Sequence, residues 1–80
     1  MGCPISKHIT VYWLRINAQT FQKMSPSLIH ILRSANYVIE DKNKVVLIIP
    51  VEYPELLDQV LDETMFSRNI VQKREIILQE

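Results

Sequence analysis

The chain contains one cysteine and two histidines, side chains that often act as nucleophiles, general bases or zinc ligands. Cys3 and His8 lie five positions apart near the N-terminus, and His30 lies beside Ile29 and Ile31 in a segment with helical periodicity. A cysteine nucleophile needs a base, an orienting group and an oxyanion hole, and a structural zinc site needs four ligands. The spacing of Cys3, His8 and His30 supplies neither the groups for cysteine catalysis nor four zinc ligands. We therefore expect no catalytic residue, no metal site and no cofactor.

Five carboxylates lie close together in the second half of the chain: Glu52, Glu55, Asp58, Asp62 and Glu63. Paired carboxylates can hold a cation or carry out acid–base catalysis. On a helix, Glu55, Asp58 and Asp62 project along one side, opposite much of the leucine stripe. Such a side is either a solvated face or a docking face for a basic partner.

Aromatic residues offer a second kind of binding chemistry. Protein interfaces are often anchored by aromatic side chains. We therefore predict a partner-binding surface of two tyrosines and three acids: Tyr37, Tyr53, Glu55, Asp58 and Asp62. Trp13 and Tyr12 could stack on bases, but aromatic residues at helical spacing more often belong to a core. We expect Trp13 and Phe21 to be core anchors.

The first seven residues match the pattern for N-terminal lipidation. Glycine is second and serine is sixth, as myristoylation requires, and Cys3 would be the adjoining palmitoylation site. Two acyl chains anchor a protein stably to a membrane, whereas one is marginal. Acylation of Gly2 and Cys3 would make the chain a membrane-anchored adaptor of a eukaryotic cell or virus. The alternative is that Met-Gly is an accidental match, and Lys7 is the only basic residue nearby.

Bulk composition limits the remaining possibilities. The 80 residues are 48% hydrophobic with no formal net charge, which is typical of one small folded domain and argues against a nucleic-acid binder that relies on bulk electrostatics. Residues 1–44 carry a net charge of +4 and residues 45–80 carry −4. These halves either attract each other within the fold or meet a charged partner, and a single-stranded nucleic-acid binder using the basic half stays an alternative.

The cellular compartment is indicated by two features. One cysteine allows no internal disulfide, which fits a reducing compartment. The only glycine is Gly2, so the chain has no glycine-rich loop for binding phosphate. No stretch of eighteen apolar residues and no secretory signal pattern occurs. We expect a cytoplasmic protein, or a membrane-associated one if Gly2 is acylated.

Hydrophobic periodicity predicts the order of the secondary-structure elements. Ile9, Tyr12, Trp13, Ile16 and Phe21 follow helical spacing, although residues 8–13 are also rich in β-branched and aromatic types. Pro26 and Pro54 are suited to the first turns of two further helices, and Ser25 can cap the first of these with its side chain. Asn36 is suited to end that helix, since asparagine tolerates the left-handed conformation. The helix should bury a stripe of Leu28, Ile31, Leu32 and Ala35. Segments 37–40, 45–49 and 75–79 are typical of strands, and the turn from Asp41 to Lys44 is longer than a two-residue hairpin loop.

These elements predict an α+β domain. The order is helix-helix-strand-strand-helix-strand, in two layers with a three-stranded sheet. Residues 1–8 would be an irregular lead, and residues 9–80 would form the single domain.

Several short motifs then match a known family. They are Trp13, the helix start Ser25-Pro26-Ser27-Leu28, Leu32 and Ala35, the turn around Asp41 and Asn43, the strand 45–49 and the ending 75–80. In this order they resemble a C-terminal domain of the gamma/tau subunit of bacterial DNA polymerase III, the clamp-loader protein. The segment between Pro50 and Leu57 departs from that family, which often has an aromatic and basic run there.

The resemblance implies a fold like the KH domain, shared with the N-terminal domain of the replication initiator DnaA. It also implies a non-enzymatic docking module whose partner is a replicative polymerase or helicase subunit. The Gly-x-x-Gly loop with which KH domains hold nucleic acid is absent. We therefore expect protein–protein docking, with nucleic acid unlikely to be the main ligand.

Overall fold

A computed structural model describes residues 6–79 as one sheet with three α-helices and a short 3₁₀ turn. The elements are, in chain order, β1 (Ser6–Asn17), α1 (Ala18–Gln22), α2 (Pro26–Ser34), β2 (Val38–Asp41), β3 (Lys44–Pro50), α3 (Pro54–Thr64), a 3₁₀ helix (Arg68–Ile70) and β4 (Gln72–Gln79). The predicted α+β class is confirmed.

The first element is a strand that ends at Asn17. The helix predicted within residues 8–24 is therefore wrong up to Asn17, and residues 8–13, for which helix and strand were both open, are strand. The β-branched and aromatic composition of residues 8–13 decides the conformation, since such side chains pack well on a pleated surface. Leu14 and Ile16 are buried with exposed Arg15 between them, which is the period of a strand. The expected irregular lead also differs, because residues 6–8 belong to β1 and residues 1–5 lie outside the described part of the chain.

The sheet has four strands in the order β2-β3-β1-β4, and every neighbouring pair is antiparallel. The expected three-stranded sheet is wrong because it omitted β1. This strand is the long central one: it pairs with β3 from Val11 to Asn17 and with β4 from Ser6 to Trp13. Ser6 to Thr10 therefore pair with β4 alone and form a two-stranded extension of the sheet.

The helices cover one face of the sheet. Leu14 faces the same side as Leu47, its partner on β3, and Ile16 the same side as Val45. This face packs against buried side chains of the helix layer, namely Phe21, Met24, Leu28, Leu32, Leu57, Val60 and Leu61. The alternate residues of the strands lie on the opposite face, which no α-helix of residues 6–79 covers at Trp13 and Arg15, although Val11 on the same face is 1% exposed.

Of the two predicted core anchors, only Phe21 lies in the core. Phe21 is 1% exposed and contacts the inner face of the sheet. Trp13 is half-buried and, by the alternation of β1, lies on the face opposite to Leu14. The expectation for Trp13 is wrong because it assumed a helix, in which Trp13 and Ile16 would share a side.

Local signals set the ends of several elements. Asn36 ends α2 with a φ of 60°, the left-handed conformation that asparagine tolerates, as predicted. Asp41 pairs with Lys44, so the hairpin loop has only two residues, Lys42 and Asn43, and not the longer turn expected. Met65 ends α3 with a φ of 63°, in the left-handed region that residues with a β-carbon seldom adopt, and its backbone N–H still donates to the Leu61 carbonyl.

The N-terminal end of α2 is hydrogen-bonded to α3, a distant part of the chain. We expected Ser25 to cap the helix with its side chain, but it makes no such bond. Instead its backbone N–H and its hydroxyl donate to the Glu63 carboxylate of α3, at 2.6 and 2.9 Å. These bonds, led by the one from the backbone N–H, hold the pKa of Glu63 below its ordinary value.

Replacing Phe21 with alanine should destabilise the domain by about 3–5 kcal/mol, the usual cost of removing a buried aromatic ring. Chemical denaturation followed by circular dichroism measures this free energy of unfolding. Ile39→Ala is the control, because Ile39 is 54% exposed on the edge strand β2. Its loss should stay below about 1 kcal/mol. Similar losses for the two variants would contradict the position of Phe21 in the core.

The Glu63 contact predicts a pH dependence of stability. A carboxyl with a lower pKa in the folded than in the unfolded state stabilises the fold above the unfolded pKa, and this contribution is lost as pH falls through the folded pKa. Between about pH 7 and about pH 3, the urea midpoint of the wild type should therefore fall further than that of Glu63→Gln. Asp62→Asn, an exposed neighbour on α3, should keep the wild-type dependence. The same pH dependence in Glu63→Gln and wild type would disprove this contribution.

Candidate functional site

A groove of about 440 Å³ lies between the C-terminal half of α2 and the N-terminal half of α3. Apolar and aromatic side chains dominate its wall. Its lining comprises Ile31, Ala35, Tyr37, Tyr53, Glu55, Leu56 and Gln59. Concave sites lined this way, with a few polar groups, are typical of binding sites in proteins.

Two tyrosines form one end of the groove. Tyr37 follows the left-handed turn at Asn36, and Tyr53 immediately precedes Pro54, the first residue of α3. Their ring centroids are 6.3 Å apart and the ring planes are inclined at 33°. Tyr37 is half-buried, whereas Tyr53 is 48% exposed. The pair is therefore accessible to a partner from the Tyr53 side.

The groove has a negative character. Burial raises the pKa of the Tyr37 hydroxyl, and the nearby Tyr53 and the charge of Glu52 raise that pKa further. Glu55 contributes a carboxylate to the lining. Within residues 6–79, neither Glu52 nor Glu55 forms a salt bridge. The carboxylates at this end of α3 can therefore attract a cationic group.

Three of the five residues predicted for the partner-binding surface meet in this groove: Tyr37, Tyr53 and Glu55. The other two lie elsewhere on α3. Asp58 forms an ion pair with Arg68 of the 3₁₀ helix, and Asp62 is exposed farther along α3. The groove therefore contains only the part of the predicted surface that includes the two tyrosines.

Sequence reasoning missed the contribution of α2. Its periodicity predicted a buried stripe of Leu28, Ile31, Leu32 and Ala35. Leu28 and Leu32 are buried, but Ile31 is 46% exposed and Ala35 is exposed, so both are available to the groove. The sequence did contain a signal for this, because the apolar stripe of α2 is wider than the area that the core can bury.

The groups considered for chemistry are dispersed. No cluster of three or more histidine, cysteine, aspartate or glutamate residues able to hold a metal occurs within residues 6–79. His8 contacts Glu75 through Nδ1 at 2.6 Å on the exposed strand extension, and His30 lies 3.4 Å from the Ser34 hydroxyl on α2. Gly2 and Cys3, the predicted lipidation residues, lie outside the described part of the chain.

Within residues 6–79, no lysine or arginine forms a salt bridge between the basic half (1–44) and the acidic half (45–80). Arg33 pairs with Glu40 at 2.8 Å inside the first half, and Arg68 pairs with Asp58 inside the second. Among the described residues, the His8–Glu75 contact is the only pair of ionisable side chains that bridges the two halves, and it is an ion pair only when His8 is protonated.

Comparison of the chain with protein-family models, curated proteins and solved structures finds no match in any of the three. The helices of the described region are all too short or too polar to cross a membrane.

The contact between the two tyrosines can be measured through the pKa of Tyr37. NMR titration of the Tyr37 ring should give a pKa above the ordinary value of 10.0, and both Tyr53→Ala and Glu52→Gln should lower it. Asp62→Asn is the matched control, because Asp62 does not line the groove. An unchanged pKa in Tyr53→Ala would contradict the packing of the two rings.

Proposed function

We propose that this chain is a non-catalytic docking domain whose groove between α2 and α3 binds a short segment of another protein. The observation that carries the proposal is the meeting of Tyr37, Tyr53 and Ile31 in one accessible groove. Tyrosine is enriched among the residues that dominate binding energy, because its ring buries a large apolar area and its hydroxyl can form a hydrogen bond.

The shape and charge of the groove indicate the chemistry of the partner segment. Leu56 and Ile31 offer an apolar floor for an aliphatic or aromatic side chain. Glu55 in the wall and Glu52 beside Tyr37 favour a lysine or arginine next to that side chain. The partner segment therefore combines one apolar anchor with at least one basic residue.

The replication machinery is the proposed setting, on the basis of the resemblance to the polymerase III gamma/tau domain. The helix-helix-strand-strand-helix-strand order that accompanied this resemblance occurs from α1 to β4, with β1 preceding it. This order supports a KH-like fold that contains β1 as an additional central strand. In that setting, the partner is a replicative polymerase or helicase subunit.

A binding experiment with purified proteins tests the proposal. The full chain is immobilised, and the replicative polymerase subunit and the replicative helicase of the same organism are tested by biolayer interferometry. We expect one of them to bind, and we expect Tyr53→Ala and Glu55→Lys each to weaken binding at least about tenfold, as for interface anchors.

Asp41→Lys is the charge-matched control, because it makes the same change as Glu55→Lys outside the groove. It should alter the affinity less than about twofold. Equal losses from both charge reversals would assign the binding to overall charge and reject the groove. Binding of neither protein would reject the replication partners.

A further inference from the structure

The face of the sheet opposite the helices has an aromatic centre flanked by arginines. Trp13 lies on this face in the central strand, between Ile48 of β3 and Gln72 of β4 in the register. The guanidinium of Arg74 lies 3.9 Å from the centroid of the indole, and that of Arg15 lies 5.4 Å from it. Both distances are within the range of attractive cation–π contacts.

Arg74 is oriented by neutral groups only. Its Nε and Nη2 donate to Oε1 of Gln72, at 3.0 and 2.8 Å, while the indole of Trp13 packs against the guanidinium plane. Within residues 6–79 its Nη1 has no hydrogen-bond acceptor, so it is free to bind an external oxygen. The side chain is therefore fixed in place while its charge is not neutralised.

The four arginines fall into two classes. Arg33 and Arg68 each form a salt bridge, with Glu40 and Asp58 respectively. Arg15 and Arg74 form none among the described residues, and both contact Trp13. The unpaired arginines are thus concentrated where an aromatic ring is also available.

The remaining charges on this face are also mostly positive. The alternation of β1 and β3 places Lys7 and Lys44 on the same side as Arg15 and Arg74. The single described carboxylate that the register assigns to this face is Asp41, at the end of the edge strand beside Lys44. A chain with no net charge therefore carries a locally cationic sheet face.

We propose that this sheet face binds single-stranded nucleic acid, as a second surface separate from the tyrosine groove. Phosphates are bound by the guanidinium groups of Arg15 and Arg74, which match phosphate oxygens with planar pairs of N–H donors. An unpaired base stacks on the layer formed by Trp13 and Arg74, since bases stack on both aromatic rings and guanidinium planes. An acidic peptide could use the charges but would gain nothing from this planar layer.

The only tryptophan of the chain lies within the proposed site, so its fluorescence reports binding directly. Titration of the full chain with oligothymidylate or oligouridylate of about 15 nucleotides should quench the emission of Trp13 in a saturable manner. With the two phosphate contacts of Arg15 and Arg74, the affinity should fall about sevenfold between about 50 and about 200 mM salt. No quenching and no change in anisotropy of a labelled oligonucleotide at the lower salt would overturn the proposal.

Arginine variants distinguish binding at this site from attraction by the overall charge of the chain. Arg15→Gln and Arg74→Gln should each weaken oligonucleotide binding at least about fivefold, because each removes a phosphate contact. Arg68→Gln removes the same charge from a salt-bridged arginine elsewhere and should change the affinity less than about twofold. Equal weakening by Arg68→Gln would overturn the proposal.

Two further measurements test the stacking step. Arg74→Lys keeps the charge but not the planar guanidinium, so it should keep the salt dependence and lose part of the affinity. Polyglutamate should compete poorly with the oligonucleotide, since it carries charge without bases. Full affinity in Arg74→Lys, or equal binding of polyglutamate, would overturn the assignment to nucleic acid. Circular dichroism of each variant verifies its fold, and Arg15→Gln tests the site independently if Arg74→Gln does not fold.

Discussion

The antiparallel pairing of β1 with β3 and β4 is the interaction on which the rest of the structure depends. In the described part of the chain, β1 lies between the β2–β3 hairpin and β4 and joins them into one sheet. Its buried residues Leu14 and Ile16 form the centre of the inner sheet face against which Phe21 and the helices pack. Because the pairing also fixes which residues share a face, it positions the core and the cationic surface together.

Three short helices can cover only one face of a four-stranded sheet. Within residues 6–79, the buried side chains of all three α-helices pack on the face that carries Leu14 and Leu47. The uncovered face must therefore tolerate water while it carries Trp13 at its centre. The side chains of Arg15 and Arg74 meet this requirement by packing their guanidinium groups against the indole, so that apolar area is covered and charge stays in solvent.

Charge is separated on the folded chain although it sums to zero. Carboxylates border the groove near Tyr53, and cations predominate on the uncovered sheet face near Trp13. The two proposed functions use these surfaces differently: a basic protein segment fits the groove, and a polyanion fits the sheet.

The sequence by itself determined the elements that have strong local signals. Pro26 and Pro54 mark the starts of two helices, and Asn36 ends one of them. Segments 45–49 and 75–79 are strands as predicted, and the strand predicted for 37–40 occurs one residue later, at Val38–Asp41. It did not determine β1, because residues 8–17 satisfy both helical spacing and β propensity, and only pairing with β3 and β4 decides between them. Tertiary structure also determined which residues form the tyrosine groove and which form the cationic sheet face. Tyr37 and Tyr53 meet because β3 returns the chain to the end of α2, and Arg74 reaches Trp13 because β4 pairs with β1. Such contacts between distant residues depend on strand register, which local propensity does not specify.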